Sequence, residues 1–169
     1  MLFVFDSSTL IAIRENYLRS TGLFKHFWGW LLGHMHSGRI IVPAAAFKEL
    51  QDKKPEGDEF FNILVEENIP PRKLDAAIRE QIKGIQKVLE PVKHKLSKGD
   101  RQIMATAKAL GATLVTEESQ ETPPPLGSSK PYKMPGACQL AGIDVKCLNM
   151  RKFLIEIAKE RSCRPNELL

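Results

Sequence analysis

Short apolar runs alternate with longer amphipathic segments along the chain, and the short runs predict β-strands. The predicted strands are Leu2 to Phe5, Arg39 to Val42, Ala112 to Thr116 and Asp144 to Leu148. The first is apolar throughout, a pattern typical of a strand buried on both faces of a parallel sheet.

The intervening segments carry apolar residues every three or four positions, which predicts helices. These helices run from Asp6–Thr9 to Arg14, from Ser20 or Thr21 to Gly38, from Pro43 through Leu50, from Phe60 to Leu64, from Pro71 to Leu96 with a kink or break at Pro91, from Ser97 to Leu110, near Cys138 to Ala141, and from Met150 to Glu160. Alternating strands and helices predict an α/β fold with a mainly parallel sheet. Neither a repeat nor a clear linker divides the 169 residues, so we expect a single domain.

Composition narrows the classes of protein to be considered. The net charge of +5 and the isoelectric point near 9.2 favour an acidic partner such as nucleic acid. Apolar runs are too short to span a membrane, and the stretch before Asp6 lacks the features of a signal peptide. The odd number of cysteines, without CxxC spacing, predicts reduced thiols in a cytoplasmic protein.

Four acidic residues fall near the predicted strand ends, and ligands of open parallel sheets bind beyond the carboxyl ends of the strands. Asp6 and Glu118 follow the first and third strands, Glu49 lies in the helix after the second, and Asp100 begins the helix that leads into the third. Crowded carboxylates repel one another unless a cation neutralises them, and oxygen ligands select Mg²⁺ or Mn²⁺. Such ions promote hydrolysis of phosphodiester bonds.

Each of these acids also has a purely structural interpretation. Asp6 is suited to cap the helix that follows it, and Ser97 with Asp100 matches a variant of the capping box. Glu49 fits an exposed helix position, and Glu118 fits the start of a solvated loop. The residues alone leave both interpretations open.

The segments around the acids resemble the motifs of PIN domains. LFVFDSSTLI resembles the first motif, IIVPAAAFKEL the second, and GDRQIMATAKALGATLVTEE the third and fourth. KMPGACQLAGIDVKCLNMRKFL fits the last strand and helix of that family, while FKHFWGWLLGHMHSGRIIVP resembles a PIN-like branch that is often grouped with toxin nucleases. The resemblance implies a three-layer α/β/α sandwich across residues 1–169.

The resemblance also implies roles for individual residues. By this resemblance the metal ligands of the protein would be the acids Asp6, Glu49, Asp100 and Glu118. Ser8 would help to position Asp6 and a metal-bound water, and Thr116 would be the threonine that precedes the fourth acid. The fourth acid is more often Asp in the family, so Glu117 stays open as the alternative to Glu118.

The function implied by the resemblance is Mg²⁺- or Mn²⁺-dependent endonucleolytic cleavage of single-stranded RNA. Toxins of this family pair with an antitoxin protein and form homodimers, so both partners are expected here. One alternative is a PIN-like binding scaffold without catalysis. Another is a haloacid-dehalogenase-like phosphatase, which VFDSSTLI also resembles, although Ser8 stands where that chemistry needs a second Asp.

Basic residues outside the motifs are candidates for contact with RNA. Lys130, Tyr132 and Lys133 lie in a predicted loop from Ser119 to Pro135, where they would meet phosphates and a base, or else be solvated. The segment with Lys93, His94, Lys95 and Lys98 is a second candidate phosphate track.

Overall fold

The structure is a computed structural model, and it describes residues 1–52, 59–119, 123–125 and 128–159. Three features of the sequence lie outside these residues: the predicted helix end at Glu160, Cys163 among the cysteines predicted to be reduced, and part of the predicted loop between Ser119 and Pro135.

Four strands and eight α-helices follow one another in the described chain. The strands are β1 (Phe3–Phe5), β2 (Ile40–Ile41), β3 (Thr113–Val115) and β4 (Cys147–Leu148). The helices are α1 (Ser7–Asn16), α2 (Lys25–His36), α3 (Ala44–Asp52), α4 (Glu59–Glu66), α5 (Ala76–Leu89), α6 (Lys98–Ala109), α7 (Met134–Cys138) and α8 (Met150–Lys159), with a 3₁₀ turn at Arg19–Thr21. All four predicted strands are confirmed with shifted bounds. The predicted helical segments are confirmed as well, except that the stretch from Pro71 to Leu96 is not helical after Leu89.

The shifted bounds have local causes. Helix α2 begins later than predicted because Gly22, at φ +70°, separates it from the 3₁₀ turn. The long amphipathic stretch stops being helical after Leu89, so Pro91 marks a break rather than a kink. Helix α7 begins at Met134, four residues before the predicted turn, with Pro135 in its first turn where a missing N–H is tolerated.

The strands form one all-parallel sheet in the order β2-β1-β3-β4. From β1 the chain passes to β2, which lies on one side of β1. The chain later returns across β1 and forms β3 on the other side. Right-handed crossovers in opposite directions put helices on both faces of the sheet. The predicted three-layer α/β/α sandwich is confirmed.

The core on one face of the sheet is built around Phe153 of α8. Its ring packs edge-on against Phe3 and Phe5 of β1, with centroid distances of 4.8 and 5.1 Å. All three rings are fully buried. This aromatic cluster fixes α8 against the central strand that carries Asp6 at its end.

No helix in the described ranges is long and apolar enough to cross a membrane.

We expect Phe153→Ala to lower the free energy of unfolding by about 3–5 kcal/mol, because it removes a fully buried ring and leaves a cavity. Urea denaturation measures the change. Ile155→Ala on the same helix, where the side chain is 47% exposed, should change it by less than about 0.5 kcal/mol. Equal losses in the two variants would contradict the assigned role of Phe153.

Candidate active site

The pairing of β1 with β3 places the first two site residues side by side. Phe5 lies opposite Val115, so Asp6 and Thr116 leave the sheet together at its carboxyl edge. The backbone N–H of Asp6 donates to the carbonyl of Val115 at 3.2 Å. Residues more than a hundred positions apart thus form one corner of the site.

The carboxylate of Asp6 is 2% exposed and hydrogen-bonded through both oxygens. Its Oδ1 accepts from the backbone N–H of Thr9 at 2.8 Å, so the predicted helix cap is confirmed. The hydroxyl of Thr116 donates to Oδ2 at 2.5 Å. The hydroxyl of Ser8 lies 2.8 and 3.0 Å from the two oxygens, as expected of a residue that positions Asp6.

Ser8 also ties the two strand ends together, because its Oγ accepts from the backbone N–H of Glu117 at 2.9 Å. A phosphatase of the haloacid-dehalogenase type would need an acid here. The hydroxyl instead serves to hold Asp6, whose buried carboxylate is poorly placed as a nucleophile.

The protonation of Asp6 reflects this environment. Burial raises the pKa of the carboxyl, and the hydrogen bonds from Thr116, Thr9 and Ser8 oppose that rise without cancelling it. The charged form is therefore less stable here than in water.

Glu118 shows that three acids share one electrostatic environment. Burial raises the pKa of its half-buried carboxyl, and the negative charges of Asp100 and Asp6 raise it further. The N–H of Met134, which donates to Oε2 at 3.0 Å, and the charge of Lys133 act in the opposite direction. Three separate parts of the sequence therefore bring carboxylates within range of one another.

Glu117 serves a different purpose from Glu118. Its side chain is exposed, and its Oε1 accepts from the backbone N–H of Met150 at 2.5 Å, at the start of α8. The geometry therefore favours Glu118 over Glu117 as the acid that belongs with Asp6 and Asp100.

Asp100 has the structural role that its sequence context predicts. Its Oδ2 accepts from the N–H of Ser97 at 2.6 Å, and its own N–H donates to the Ser97 hydroxyl at 3.0 Å, which completes a capping box. Since the same side chain raises the pKa of Glu118, capping and membership of the acidic cluster are compatible.

Glu49 lies between the neighbours of Asp6 and Asp100. The hydroxyl of Ser7 donates to its Oε2 at 2.5 Å. A Cβ placed on Gly99 would lie 2.6 Å from Oε1 of Glu49, so only glycine allows this approach. All four predicted acids thus lie at the carboxyl edge of the sheet, and we call them the acidic cluster.

The acidic cluster fits a hard divalent cation by the type of its donors, because carboxylate oxygens are the ligands that Mg²⁺ and Mn²⁺ prefer. Its geometry does not by itself form a coordination shell. Within the described ranges, no three His, Cys, Asp or Glu residues are arranged so that they could hold a metal ion.

The three residues predicted to contact RNA differ in their exposure to solvent. Tyr132 is 4% exposed and its hydroxyl donates to the carbonyl of Pro124 at 2.6 Å. Its ring is packed in the core, so both the predicted contact of Tyr132 with RNA and the alternative of a solvated side chain are wrong. Lys130 and Lys133 are exposed, and Lys133 is close enough to Glu118 to affect its pKa.

Sequence reasoning missed three residues that hold the acidic cluster: Ser7, Gly99 and the backbone of Met134. The dipeptide Gly99-Asp100 was a usable signal, since a glycine in the first turn of a helix often marks a close approach. Nothing in the sequence distinguishes the hydroxyl of Ser7 from that of Ser8 or links Met134 to Glu118.

The comparison with protein families gives one match. The model of a family described as "Domain of unknown function (DUF4411)" matches residues 3–160. The chain belongs to this family. No curated protein matches it.

Solved structures resemble the DUF4411 chain across most of its length. VapBC2 from Rickettsia felis bound to a promoter DNA fragment gives a TM-score of 0.55 at 16% identity, covering 88% of this chain and 98% of that one. DNA-bound VapBC from Salmonella typhimurium gives 0.55 at 17%, covering 88% and 98%. FitAcB from Neisseria gonorrhoeae gives 0.52 at 15%, covering 88% and 97%. At these identities the likeness shows the fold, which is PIN-like.

We expect Asp6→Asn to raise the free energy of unfolding at neutral pH, because it removes a charge that burial disfavours. In the unchanged protein the stability from protonated Asp6 is fully present below its ordinary pKa of 3.8, and it is lost as pH rises through the raised folded pKa. Urea unfolding in EDTA from about pH 4 to about pH 8 measures this difference. The exposed Asp52→Asn is the control. Parallel pH curves for Asp6→Asn and the unchanged protein would contradict the prediction.

Proposed function

We propose that the protein is a metal-dependent endoribonuclease that hydrolyses phosphodiester bonds of single-stranded RNA. The observation that supports the proposal is the proximity of the acids: Asp6 leaves the sheet beside Thr116, two residues before Glu118, and Gly99, next to Asp100, packs against Glu49. Burial raises the pKa of the Glu118 carboxyl, and the charges of Asp100 and Asp6 raise it further. Like charges held close together cost stability, and carboxyls perturbed in this way cluster at functional sites. A cation would offset that cost, and a phosphodiester would then have a place to bind.

The acids Asp6, Glu49, Asp100 and Glu118 would hold Mg²⁺ or Mn²⁺. When bound, such an ion supplies an activated water and stabilises the charge on the leaving oxygen. The rest of the chain orients the acids. Ser8 and Thr116 fix Asp6, Ser7 fixes one oxygen of Glu49, and the N–H of Met134 fixes one oxygen of Glu118.

The likeness to VapBC and FitAcB supports a place among toxin nucleases of the PIN type. In this proposal the protein is the toxin of a toxin–antitoxin pair, acts in the cytoplasm, and has an antitoxin protein as its partner. A homodimer of the single PIN-like domain remains a prediction from the same resemblance.

End-labelled single-stranded RNA tests the activity. We expect cleavage in Mg²⁺ or Mn²⁺ that stops in EDTA and falls at least about 100-fold in Asp6→Asn and in Asp100→Asn, because each loses a charge that would hold the ion. Asp52→Asn, which loses an exposed charge paired with Lys48, is the matched control and should cleave normally. Cleavage that persists in both site variants would refute the proposal.

A second candidate function is a PIN-like scaffold without catalysis. It is favoured by the hydrogen bonds that engage both oxygens of Asp6 and by the lack of a formed metal-holding group in the described ranges. A scaffold predicts no cleavage in any metal and no change in melting temperature on titration with Mn²⁺. A nuclease predicts that Mn²⁺ raises the melting temperature of the unchanged protein more than that of Asp100→Asn.

Gly99→Ala offers a way to separate stability from activity. Its Cβ would displace the flexible end of Glu49 from its place 2.6 Å away, so we expect cleavage to fall about 10- to 100-fold. The melting temperature should stay level or rise, because alanine favours a helix more than glycine does. Gly84→Ala in α5, where a Cβ would meet nothing within 4 Å, should be more stable and fully active. Full activity in Gly99→Ala would remove Glu49 from the site.

A further inference from the structure

Two segments that are candidates for contact with RNA phosphates, residues 93–98 and 130–133, are distant in the sequence but lie beside each other in the structure. His94 and Tyr132 form an isolated parallel β-bridge. The N–H of Tyr132 donates to the carbonyl of Lys93 at 2.8 Å, and the N–H of Lys95 donates to the carbonyl of Tyr132 at 3.1 Å. The bridge therefore fixes the backbone on both sides of His94 against the segment before α7.

The bridge also decides which way the lysines point. Successive side chains of extended backbone alternate between opposite sides, and bridged residues share a side. Tyr132 points into the core, so its neighbour Lys133 and the neighbours of His94, Lys93 and Lys95, lie on the solvent side. All three lysines are exposed.

The solvent side of the bridge leads to the acidic cluster. Lys133 immediately precedes Met134, whose N–H holds Glu118, and its charge acts on that carboxyl. Exposed Lys98 lies in the first turn of α6, two residues before Asp100. We call Lys93, Lys95, Lys98 and Lys133 the lysine ledge.

We infer that the lysine ledge binds the phosphate backbone of single-stranded RNA and guides it to the acidic cluster. The inference rests on the proposed function for the identity of the nucleic acid. Carboxylates alone repel a phosphodiester, so an acidic site needs positive charge beside it to attract the strand. Lys93 and Lys95, about 6.6 Å apart along extended backbone, allow contact with separate phosphates.

Contacts of this kind read charge rather than sequence. Lysine is a point charge without the fork that would make bidentate contacts to base edges. The ring of Tyr132 is buried and cannot stack on a base. The lysine ledge should therefore give affinity and direction but little preference for sequence.

A rival basic surface lies on α5, where Arg79, Lys83 and Lys87 are exposed at four-residue spacing. Exposed Glu80 interrupts this stripe. Lys133, by contrast, is close enough to Glu118 for its charge to lower the pKa of that carboxyl. Substitution of the three basic residues of α5 removes the same number of positive charges, so it is the matched control.

The test is binding of a fluorescently labelled single-stranded RNA of mixed sequence, measured by anisotropy in EDTA between about 50 and about 200 mM salt. The variant K93Q/K95Q/K133Q should bind about tenfold or more weakly. The slope of log affinity against log salt should fall by about 2, from about 0.7 for each of three lost phosphate contacts. The control R79Q/K83Q/K87Q should keep the slope of the unchanged protein, and thermal melts should show all three proteins folded.

Three results would overturn the inference: an unchanged slope in the ledge variant, an equal loss in the α5 control, or tighter binding of duplex DNA than of RNA through the same lysines. Because EDTA suppresses metal-dependent cleavage, the result is separate from the proposed activity. Ledge-dependent binding without cleavage in any metal would refute the nuclease and keep the ledge. Normal RNA binding and normal cleavage by the ledge variant would support the nuclease and refute the role of the lysine ledge.

Discussion

The parallel pairing of β1 with β3 is the constraint on which the acidic cluster depends. Since Phe5 lies opposite Val115, the chain must leave the sheet at Asp6 and Thr116 in the same place. A register shift of one residue would turn Asp6 towards the opposite face of the sheet and separate it from the Thr116 hydroxyl. The fully buried strands β1 and β3 prevent such a shift, because their side chains pack on both faces.

Backbone N–H groups at the N-termini of helices reduce the electrostatic cost of bringing the acids together. Asp6 accepts a backbone N–H in the first turn of α1, Asp100 accepts the N–H of the residue that caps α6, and Glu117 and Glu118 accept the first N–H of α8 and α7. The first N–H groups of a helix lack partners within it and carry partial positive charge. Carboxylates placed there are stabilised in part, which helps the fold to keep Asp6, Asp100 and Glu118 at one edge.

The fold could be read from the sequence because it depends on periodicity, and periodicity is local. The site can be read from the sequence in part: the motifs point to Asp6, Glu49, Asp100 and Glu118, which lie at one edge of the sheet, while their role as metal ligands stays a prediction. The residues that hold them, such as Gly99 against Glu49, depend on contacts between distant segments that no local pattern records. The prediction that Tyr132 contacts RNA was wrong for a related reason. Its bridge to His94 directs a side chain from a polar loop into the core. The choice between cap and ligand stayed open because Asp6 and Asp100 cap helices and also belong to the cluster.

The hydrogen bonds divide the acids by how readily each would accept a cation. Asp6 is bonded through both oxygens, so an ion there must displace or share donors such as the Ser8 hydroxyl. Within the described chain, Asp100 is bonded only through Oδ2 and Glu118 only through Oε2, which leaves one oxygen of each open. Because the charges of Asp100 and Asp6 act on Glu118, a cation beside its carboxylate would relieve that repulsion. In the proposed function Asp100 and Glu118 would therefore be the acids best able to hold the ion, and Asp6 would contribute chiefly its charge.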